Sequence, residues 1–330
     1  MVHSSEDHFI RATGEPLYVA VVVQVNVQRR RTVDFELKKK FEYVLYEESG
    51  HVARITLNFP ERRNAIDFRG QGGICDNFHA ALDEAEENDE IKVVIIRGEG
   101  RSFCAGHDLT KVGYVYGMTD KGNRPNQRTR LKVDRAHFDE HFKRIFLFPK
   151  ITIAQVHGHC LGEGSIIVEC SDLAIATEDA QFGHPEVWLG GTGVGVLPII
   201  IATVGLKRAM DLMTTGRHIG AQEAERIGLV NKVVSVDKLE SEVNALADML
   251  GRLPKDGIAI GKALRYMVYD SLGLLSSFAQ QGIFHAIATN MHWEKDEYSF
   301  FKHRRDKGGV KEAYQGRDVF RALKLDERDE

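Results

Sequence analysis

The chain has 330 residues, of which 43% are hydrophobic and 28% charged, and this ordinary globular composition excludes bulk disorder and collagen-like structure. At roughly 150 residues per domain, the length predicts about two domains, or one large domain with an appendage. The formal net charge of -4 argues against nucleic acid as a partner. The four cysteines contain no CxxC pair, so we expect neither a metal site nor a disulfide framework, and reduced thiols favour a cytoplasmic protein.

Residues 1–40 are interpreted as an N-terminal extension, which is an extra edge strand, a disordered leader or a segment foreign to the working protein. Its most apolar stretch, residues 17–27, is interrupted by Gln24 and Asn26 and is far shorter than the ~20 residues of a spanning helix. Acidic residues before this stretch and three arginines after it are atypical of a signal peptide. We therefore expect no membrane partner.

From Phe41 onward the pattern alternates between strands, turns and helices. Apolar or alternating runs predict strands, in chain order, at residues 43–46, 52–57, 93–96, 151–156 and 173–176. Asp67 is expected to cap a helix that runs toward Glu87. Beyond about Val236 only helical periodicity remains. The sequence thus predicts an α/β core of repeated ββα units over residues 41–236 and a helical region over residues 237–330.

Two glycine-containing turns, at residues 104–107 and 161–164, follow buried strands. Backbone N–H groups at the start of a helix have no partner in the helix, so they stabilise a negatively charged oxygen placed there. If the two strands are neighbours, one N–H from each turn converges on a single oxygen and forms an oxyanion hole. Ordinary packing is the other explanation of such turns.

Four segments resemble the enoyl-CoA hydratase (crotonase) superfamily in their order and spacing, namely residues 102–109 (SFCAGHDL), 149–158 (PKITIAQVHG), 180–187 (AQFGHPEV) and 215–231 (TGRHIGAQEAERIGLVN). The resemblance implies a crotonase-like spiral of ββα turns followed by an α-helical trimerisation region, assembled as a homotrimer or homohexamer. It also implies an acyl-CoA thioester substrate whose carbonyl oxygen becomes an enolate-like anion held by two backbone N–H groups. Coenzyme A is then part of the substrate, and no separate cofactor or metal is expected.

The resemblance also implies roles for single residues. The first oxyanion N–H falls on His107, and the second falls on Glu163, which occupies the middle of the family's three-glycine turn. The family's hydratases use two glutamates as acid and base, and one of these positions is Glu186, whereas the other is Ile166. The catalytic prediction is therefore Glu186, with His107 and Glu163 as the candidates that could replace the missing carboxylate.

Contacts to coenzyme A are expected beside these turns, at Arg62, Arg63, Ala65, Ala105, Asp108 and Leu109. Ordinary solvation is the alternative for the two arginines. Residues 108–149 form a longer segment than in ordinary short-chain hydratases, and its place in the family's fold favours a bulky, branched or cyclic acyl group. The aromatic residues that would line its pocket, or else belong to the core, are Tyr114, Tyr116, Phe138 and Phe142.

Most of the 14 histidines are expected to be surface or core residues. His157 and His159 are interpreted as packing residues, and His184 either forms a hydrogen bond to the Glu186 carboxylate or belongs to the core. Because the apolar Ile166 removes a like charge, burial is expected to raise the pKa of Glu186.

The leading hypothesis is an acyl-CoA hydratase or dehydratase that uses Glu186. One alternative is a crotonase-family decarboxylase or C–C hydrolase that uses His107 and Glu163. Another is a catalytically weak member that acts as a binding or scaffold protein. The apolar residues expected to pack between subunits are Ile283, Phe284, Ile287, Phe300 and Phe301.

Overall fold

The computed structural model describes residues 34–116, 126–190, 196–288, 291–307 and 309–315. Its strands are β1 (Glu36–Lys40), β2 (Val44–Ser49), β3 (Val52–Leu57), β4 (Val93–Gly98), β5 (Ser102–Cys104), β6 (Ile151–Val156), β7 (His159–Leu161), β8 (Leu173–Thr177), β9 (Gln181–Gly183), β10 (Ile219–Gly220) and β11 (Lys232–Val234). Its helices are α1 (Ile74–Glu87), α2 (Gln127–Arg135), α3 (Lys143–Phe146), α4 (Glu163–Cys170), α5 (Leu197–Val204), α6 (Leu206–Thr215), α7 (Ala221–Ile227), α8 (Leu239–Gly251), α9 (Lys255–Ser271), α10 (Leu274–Ala288), α11 (Phe300–Lys307) and α12 (Val310–Gln315). A π-helical segment, Ala136–Phe142, joins α2 to α3.

The larger sheet has seven strands in the order β1-β2-β3-β4-β6-β8-β11, and it is parallel from β3 to β11. In β4, Val94 and Ile96 belong to the large core cluster on one face of the sheet. Val93 and Ile95 belong to a second cluster on the other face, together with residues of α8. Because side chains alternate between the faces of a strand and both faces are covered, a continuous apolar run is what this position requires. The strands predicted from such runs are confirmed.

The smaller sheet has the order β10-β9-β7-β5. Each of the successive pairs β4–β5, β6–β7 and β8–β9 gives one strand to each sheet before the chain enters a helical segment. This repeated unit is the expected ββα spiral. Since β5, β7 and β9 are parallel neighbours, the residues that follow them meet at one edge of the small sheet.

The helix expected to begin at Asp67 begins instead at Ile74. The Asp76 carboxylate accepts the N–H groups of Gly70 and Gly72 at 2.9 and 2.6 Å, and these bonds hold the preceding residues in a loop. Asp67 nevertheless serves this helix, because its carboxylate accepts the N–H of Cys75 at 3.1 Å. The Asp67 carboxylate therefore binds the first turn of this helix as predicted, but the predicted start of the helix is wrong.

After β11 the described residues form helices without further strands, as the periodicity predicts. Ile283, Phe284 and Ile287 remain exposed on α10. The prediction that Phe300 packs between subunits is wrong, because this side chain is 1% exposed within this chain. Its ring packs against that of Phe301, with 5.7 Å between centroids, so the chain buries it without a partner.

The predictions for residues 1–33 of the N-terminal extension, and for residues 117–125 of the long segment 108–149, lie outside the described residues. β1, which falls within the segment interpreted as an extension, pairs with β2 as an edge strand. Among the described residues, no helix combines the length and apolar character that crossing a bilayer requires. All four cysteines are buried free thiols.

Candidate active site

Three sequence-predicted catalytic residues follow three neighbouring strands of the small sheet. His107 comes just after β5, Glu163 just after β7, and Glu186 just after β9. The carboxyl ends of adjacent parallel strands form a crevice in which ligands of α/β proteins commonly bind. The topology therefore brings together residues that are up to 79 positions apart in the chain.

The turns before His107 and Glu163 touch each other through Gly106 and Gly162. These glycines have φ angles of +94° and +53°, which L side chains rarely adopt. A Cβ on Gly162 would stand 2.7 Å from Oε1 of Glu186 and 3.7 Å from Cα of Gly106. The two turns close on each other and on the Glu186 carboxylate only because neither glycine carries a side chain.

The backbone N–H groups of His107 and Glu163 have the features that an oxyanion hole needs. Glu163 is the first residue of α4, where an N–H has no partner within the helix. In the parallel bridge between Ile66 and His107, the N–H groups of Ile66 and Asp108 donate the two hydrogen bonds, each at 2.9 Å. The N–H of His107 takes no part in this bridge. Both N–H groups are thus able to donate to a ligand oxygen.

The Glu163 side chain is completely buried among histidines. Its Oε2 lies 2.7 Å from Nδ1 of His107 and 3.8 Å from Nε2 of His137, and its Oε1 lies 2.9 Å from Nε2 of His141. Burial opposes ionisation, but the charges of His107 and His137 hold the pKa of the Glu163 carboxyl well below its usual range. Burial also opposes protonation of His107, yet the Glu163 charge raises the pKa of His107. The negative charge expected from Glu163 is therefore paired with an imidazolium.

His137 and His141 are site residues that the sequence reasoning missed. They lie four residues apart in the π-helical segment, and such segments are frequent at functional sites. Nδ1 of His141 also contacts Nε2 of His79, on α1, at 2.7 Å. The spacing of the two histidines within the long segment was the one available signal, because it places them on one side of a helix.

The aromatic residues considered for an acyl pocket are mainly core residues. Tyr116, Phe138 and Phe142 are 1%, 2% and 0% exposed. The Arg130 guanidinium lies 3.4 Å from the ring centroid of Tyr116, which fixes that ring from the side of α2. Tyr114 alone among the four remains exposed.

Glu186 is partly buried at the start of a short 3₁₀ turn after β9, and its Oε2 has no hydrogen-bond partner among the described residues. Burial raises the pKa of Glu186, in the expected direction and for the expected reason. Of the two alternatives for His184, the structure has the core one, because this residue is 1% exposed and its Nε2 pairs with Oε1 of Glu169 at 2.7 Å and not with Glu186. That pair lies behind Glu186, and its imidazolium charge acts on Glu186 through space.

The candidate coenzyme A contacts flank the same turns. Arg62 and Arg63 are exposed on the loop after β3, and Ala65, Ala105, Asp108 and Leu109 are partly exposed. The charges of Arg63 and Arg101 lower the pKa of His159, although burial is the larger cause, so these basic groups lie near one another. His157 binds the carbonyl of Gly100 through Nε2 at 2.9 Å, which supports its packing role.

Asn64 is a positioning residue that the sequence reasoning did not single out. It is completely buried, and its amide nitrogen donates to the carbonyls of Glu99, Ser102 and Phe103 at 2.9, 2.8 and 3.2 Å. The neighbouring carbonyl of Arg63 accepts the N–H of Ala105 at 3.0 Å. Asn64 therefore ties the candidate coenzyme A loop to β5 and to the first oxyanion turn.

Comparison with known proteins agrees with this geometry. A family model for enoyl-CoA hydratase/isomerase matches residues 47–306. A short-chain-enoyl-CoA hydratase of Clostridium acetobutylicum is 33% identical over 209 residues, which cover 63% of this chain and 74% of that protein. A mevalonyl-coenzyme A hydratase of Aspergillus fumigatus is 32% identical over 217 residues, with coverage of 64% and 73%.

A crystal structure of an enoyl-CoA hydratase/isomerase from Xanthobacter autotrophicus Py2 superposes with a TM-score of 0.71. It is 31% identical to this chain, and the match covers 85% of this chain and 98% of that one. Its fold, the family match and the paired glycine turns support the same assignment. The chain belongs to the enoyl-CoA hydratase/isomerase family.

Proposed function

We propose that the protein is an acyl-CoA hydratase or dehydratase that interconverts an enoyl-CoA and a 3-hydroxyacyl-CoA thioester. The observation that carries this proposal is the Glu186 carboxylate, which touches the joined turns of Gly106 and Gly162 and has a buried oxygen without a partner. The thioester oxygen would bind the N–H groups of His107 and Glu163, which stabilises the enolate-like anion. Glu186 would transfer a proton to or from water at the β-carbon.

The second acid/base role would fall to the pair His107–Glu163. In this chain Ile166, which is 3% exposed and apolar, stands where the family has its other glutamate. The contact of 2.7 Å between Nδ1 of His107 and the Glu163 carboxylate orients the imidazole and supports its charged form. The Glu163 charge raises the pKa of His107, and the charged imidazole is a proton donor.

The remaining assignments follow from the same site. Coenzyme A would approach along the loops that carry Arg62, Arg63, Ala65, Ala105, Asp108 and Leu109. Because proton transfer and oxyanion stabilisation suffice for hydration, the reaction needs no cofactor beyond the coenzyme A of the substrate. We further propose a cytoplasmic homotrimer or homohexamer, with residues 41–236 as the catalytic core and residues 237–330 as the helical assembly region.

The test is turnover of a panel of 2-enoyl-CoA, 3-hydroxyacyl-CoA, malonyl-type and cyclic β-keto thioesters by the purified protein. Reversible loss of the enoyl chromophore with formation of the 3-hydroxy product supports the proposal. Glu186→Gln should then lower turnover at least about 10²-fold, since a general acid/base contributes about 10²–10⁴-fold. Glu178→Gln, at an exposed position, is the matched control and should retain full turnover.

The buried pair His107–Glu163 keeps one alternative open, which is decarboxylation or C–C hydrolysis of a thioester. That reaction depends on the oxyanion hole more than on two carboxylates. It would give products from the malonyl-type or cyclic substrates, and Glu186→Gln would then be mild while Glu163→Gln would be severe. Inertness toward the whole panel, together with failure to bind coenzyme A, would instead favour a scaffold role.

A further inference from the structure

His107, His137 and Glu163 come from three different elements, yet their ligand atoms all lie within 4.8 Å of one another. His107 belongs to the turn after β5, His137 to the π-helical segment, and Glu163 to the first turn of α4. Oε2 of Glu163 lies 2.7 Å from Nδ1 of His107 and 3.8 Å from Nε2 of His137. Ligands at about 2.0–2.2 Å from a tetrahedral zinc ion stand roughly 3.4 Å apart, a spacing that falls between the two distances from Oε2 of Glu163.

The contacts around Glu163 are short but poorly aligned. Both of its carboxylate oxygens, together with Nε2 of His141, are buried and lack a hydrogen-bond partner among the described residues. A hydrogen bond needs the N–H to point at the acceptor, and nearby ring nitrogens do not meet this need here. Buried charges are normally paired and hydrogen-bonded or coordinate a metal, because burial of an unsolvated carboxylate is very costly.

We propose that His107, His137 and Glu163 bind a divalent transition-metal ion, with Zn²⁺ as the best match. Two imidazoles and one carboxylate are a common ligand set of catalytic zinc sites, which keep a further position open. Mg²⁺ and Ca²⁺ prefer oxygen ligands, so they fit this set poorly. The site shares His107 and Glu163 with the proposed reaction and adds His137, to which that reaction gives no role.

Neighbouring groups fit the outer shell that such a site needs. Nε2 of His141 lies 2.9 Å from the second oxygen of Glu163, and Nδ1 of His141 lies 2.7 Å from Nε2 of His79. These distances place His141 and His79 where the outer groups of a metal site stand. His79 and His141 also form a second group of potential ligands with Cys75. A nitrogen–nitrogen distance of 2.7 Å is that of a direct hydrogen bond, so we assign this second group to the outer shell.

An ion here would stand beside the residues whose N–H groups we assign to the oxyanion hole. Water bound to Zn²⁺ has a pKa of about 7 at such sites, far below that of bulk water. If the proposed hydratase reaction holds, that water would take over, when the ion is bound, the acid/base role assigned above to the pair His107–Glu163. Metal binding itself does not depend on the reaction, and the experiment therefore measures binding.

The experiment uses the full-length protein stripped of metal and titrated with Zn²⁺ in competition with a chromophoric chelator, and separately with Co²⁺. We expect one Zn²⁺ per chain with a Kd on the order of 1 μM or tighter, and visible Co²⁺ bands of a four- or five-coordinate site. His137→Phe, His107→Gln and Glu163→Gln should each weaken Zn²⁺ binding by at least about 100-fold. Three variants are used so that failure of one to fold leaves the others as tests.

His184→Gln is the matched control, because His184 is another buried histidine that lies 2.7 Å from a glutamate. It should bind Zn²⁺ as tightly as the unmodified protein. Absence of stoichiometric binding, or equal binding by all the ligand variants as expected for exposed histidines, would overturn the proposal. A protein that binds Zn²⁺ as expected but turns over no thioester would leave the site standing and refute the hydratase function.

Discussion

At the scale of single residues, the candidate site depends on buried groups that hold its loops in place. Asn64 is the best example, because the two N–H groups of its buried amide are shared among three carbonyls and its Oδ1 accepts the N–H of Phe59 at 2.8 Å. Its φ of +54° is a conformation that asparagine tolerates better than most residues. The side chain and backbone of Asn64 thus fix the loop of Arg63 against the turn of Ala105.

We predict that Asn64→Ala lowers the free energy of unfolding by about 3 kcal/mol, because buried carbonyls lose their donor at a cost of about 1–3 kcal/mol each. It should also lower kcat/KM beyond the loss of folded protein, since the oxyanion turn loses its support. Urea unfolding and kinetics at a temperature where the variant is folded measure the two effects. Asn58→Ala, at a partly exposed position, is the control. Equal behaviour of the two variants would contradict this positioning role.

At the scale of secondary-structure elements, the entry into α4 decides the geometry of the site. The turn from β7 into α4 brings the Gly162 backbone against both Gly106 and Glu186. A side chain at Gly162 would therefore disturb the proposed acid/base, Glu186, and the proposed oxyanion hole together.

Gly162→Ala is predicted to lower kcat by about 10²–10³-fold, the usual cost of one misplaced oxyanion donor. The control is Gly273→Ala between α9 and α10, where φ is also positive, at +74°, but a Cβ would meet nothing within 4 Å. That variant should show backbone strain of roughly 1–2 kcal/mol in stability and unchanged turnover. Equal turnover of the two variants would show that the close contact at Gly162 is unimportant.

The same helix also holds the turn after β9 through a buried ion pair. His184 and Glu169 are both fully enclosed, and although burial opposes protonation, the Glu169 charge raises the pKa of His184 to about 9. A histidine with a raised pKa stabilises the folded state fully below its ordinary pKa of 6.5. That contribution is lost as the pH rises through about 9.

We therefore predict that the free energy of unfolding falls between pH 6.5 and 9 by an amount that His184→Gln abolishes. At about 1.36 kcal/mol per pKa unit, the difference between the two proteins is at most about 3 kcal/mol. Urea titrations of both proteins at several pH values give the two slopes. Parallel slopes would mean that His184 does not titrate in this range.

At the scale of the whole molecule, the described chain leaves an apolar stripe on α9. Ile260, Leu264, Met267 and Val268 are 56–70% exposed and recur at helical spacing. Together with the exposed residues of α10, they make a surface larger than scattered apolar side chains would explain. Closed cyclic symmetry would bury such a surface between copies.

The protein is accordingly predicted to sediment as a trimer or hexamer at micromolar concentration. Leu264→Lys combined with Met267→Lys should shift it toward monomer, because two buried charges in an interface are costly. Met249→Lys, on α8, introduces the same charge at a residue of similar exposure and should leave the assembly intact. A wild-type monomer in sedimentation equilibrium would refute the assignment of this surface.

The fold and the meeting of three candidate site residues at one sheet edge were predictable from the sequence, because they depend on local patterns. Continuous apolar runs such as that of β4 require burial on both faces, and the glycine turns at Gly106 and Gly162 mark strand ends before helices. Motif order then placed Glu186, His107 and Glu163 in the family's positions. The upward direction of the Glu186 pKa shift was predicted from the apolar Ile166 at the family's second glutamate position, and burial is its largest cause in the structure, with the Glu169 charge acting in the same direction.

The surroundings of Glu163 could not be predicted in the same way. His79, His137 and His141 reach the site from α1 and the π-helical segment, and no local pattern links them to α4. The partner of His184 was left open for the same reason, because Glu169 lies 15 residues away on α4 and only packing selects it over Glu186. Hydrophobic periodicity determines which face of an element is buried, whereas the pairing of polar groups inside depends on how elements distant in the chain pack together.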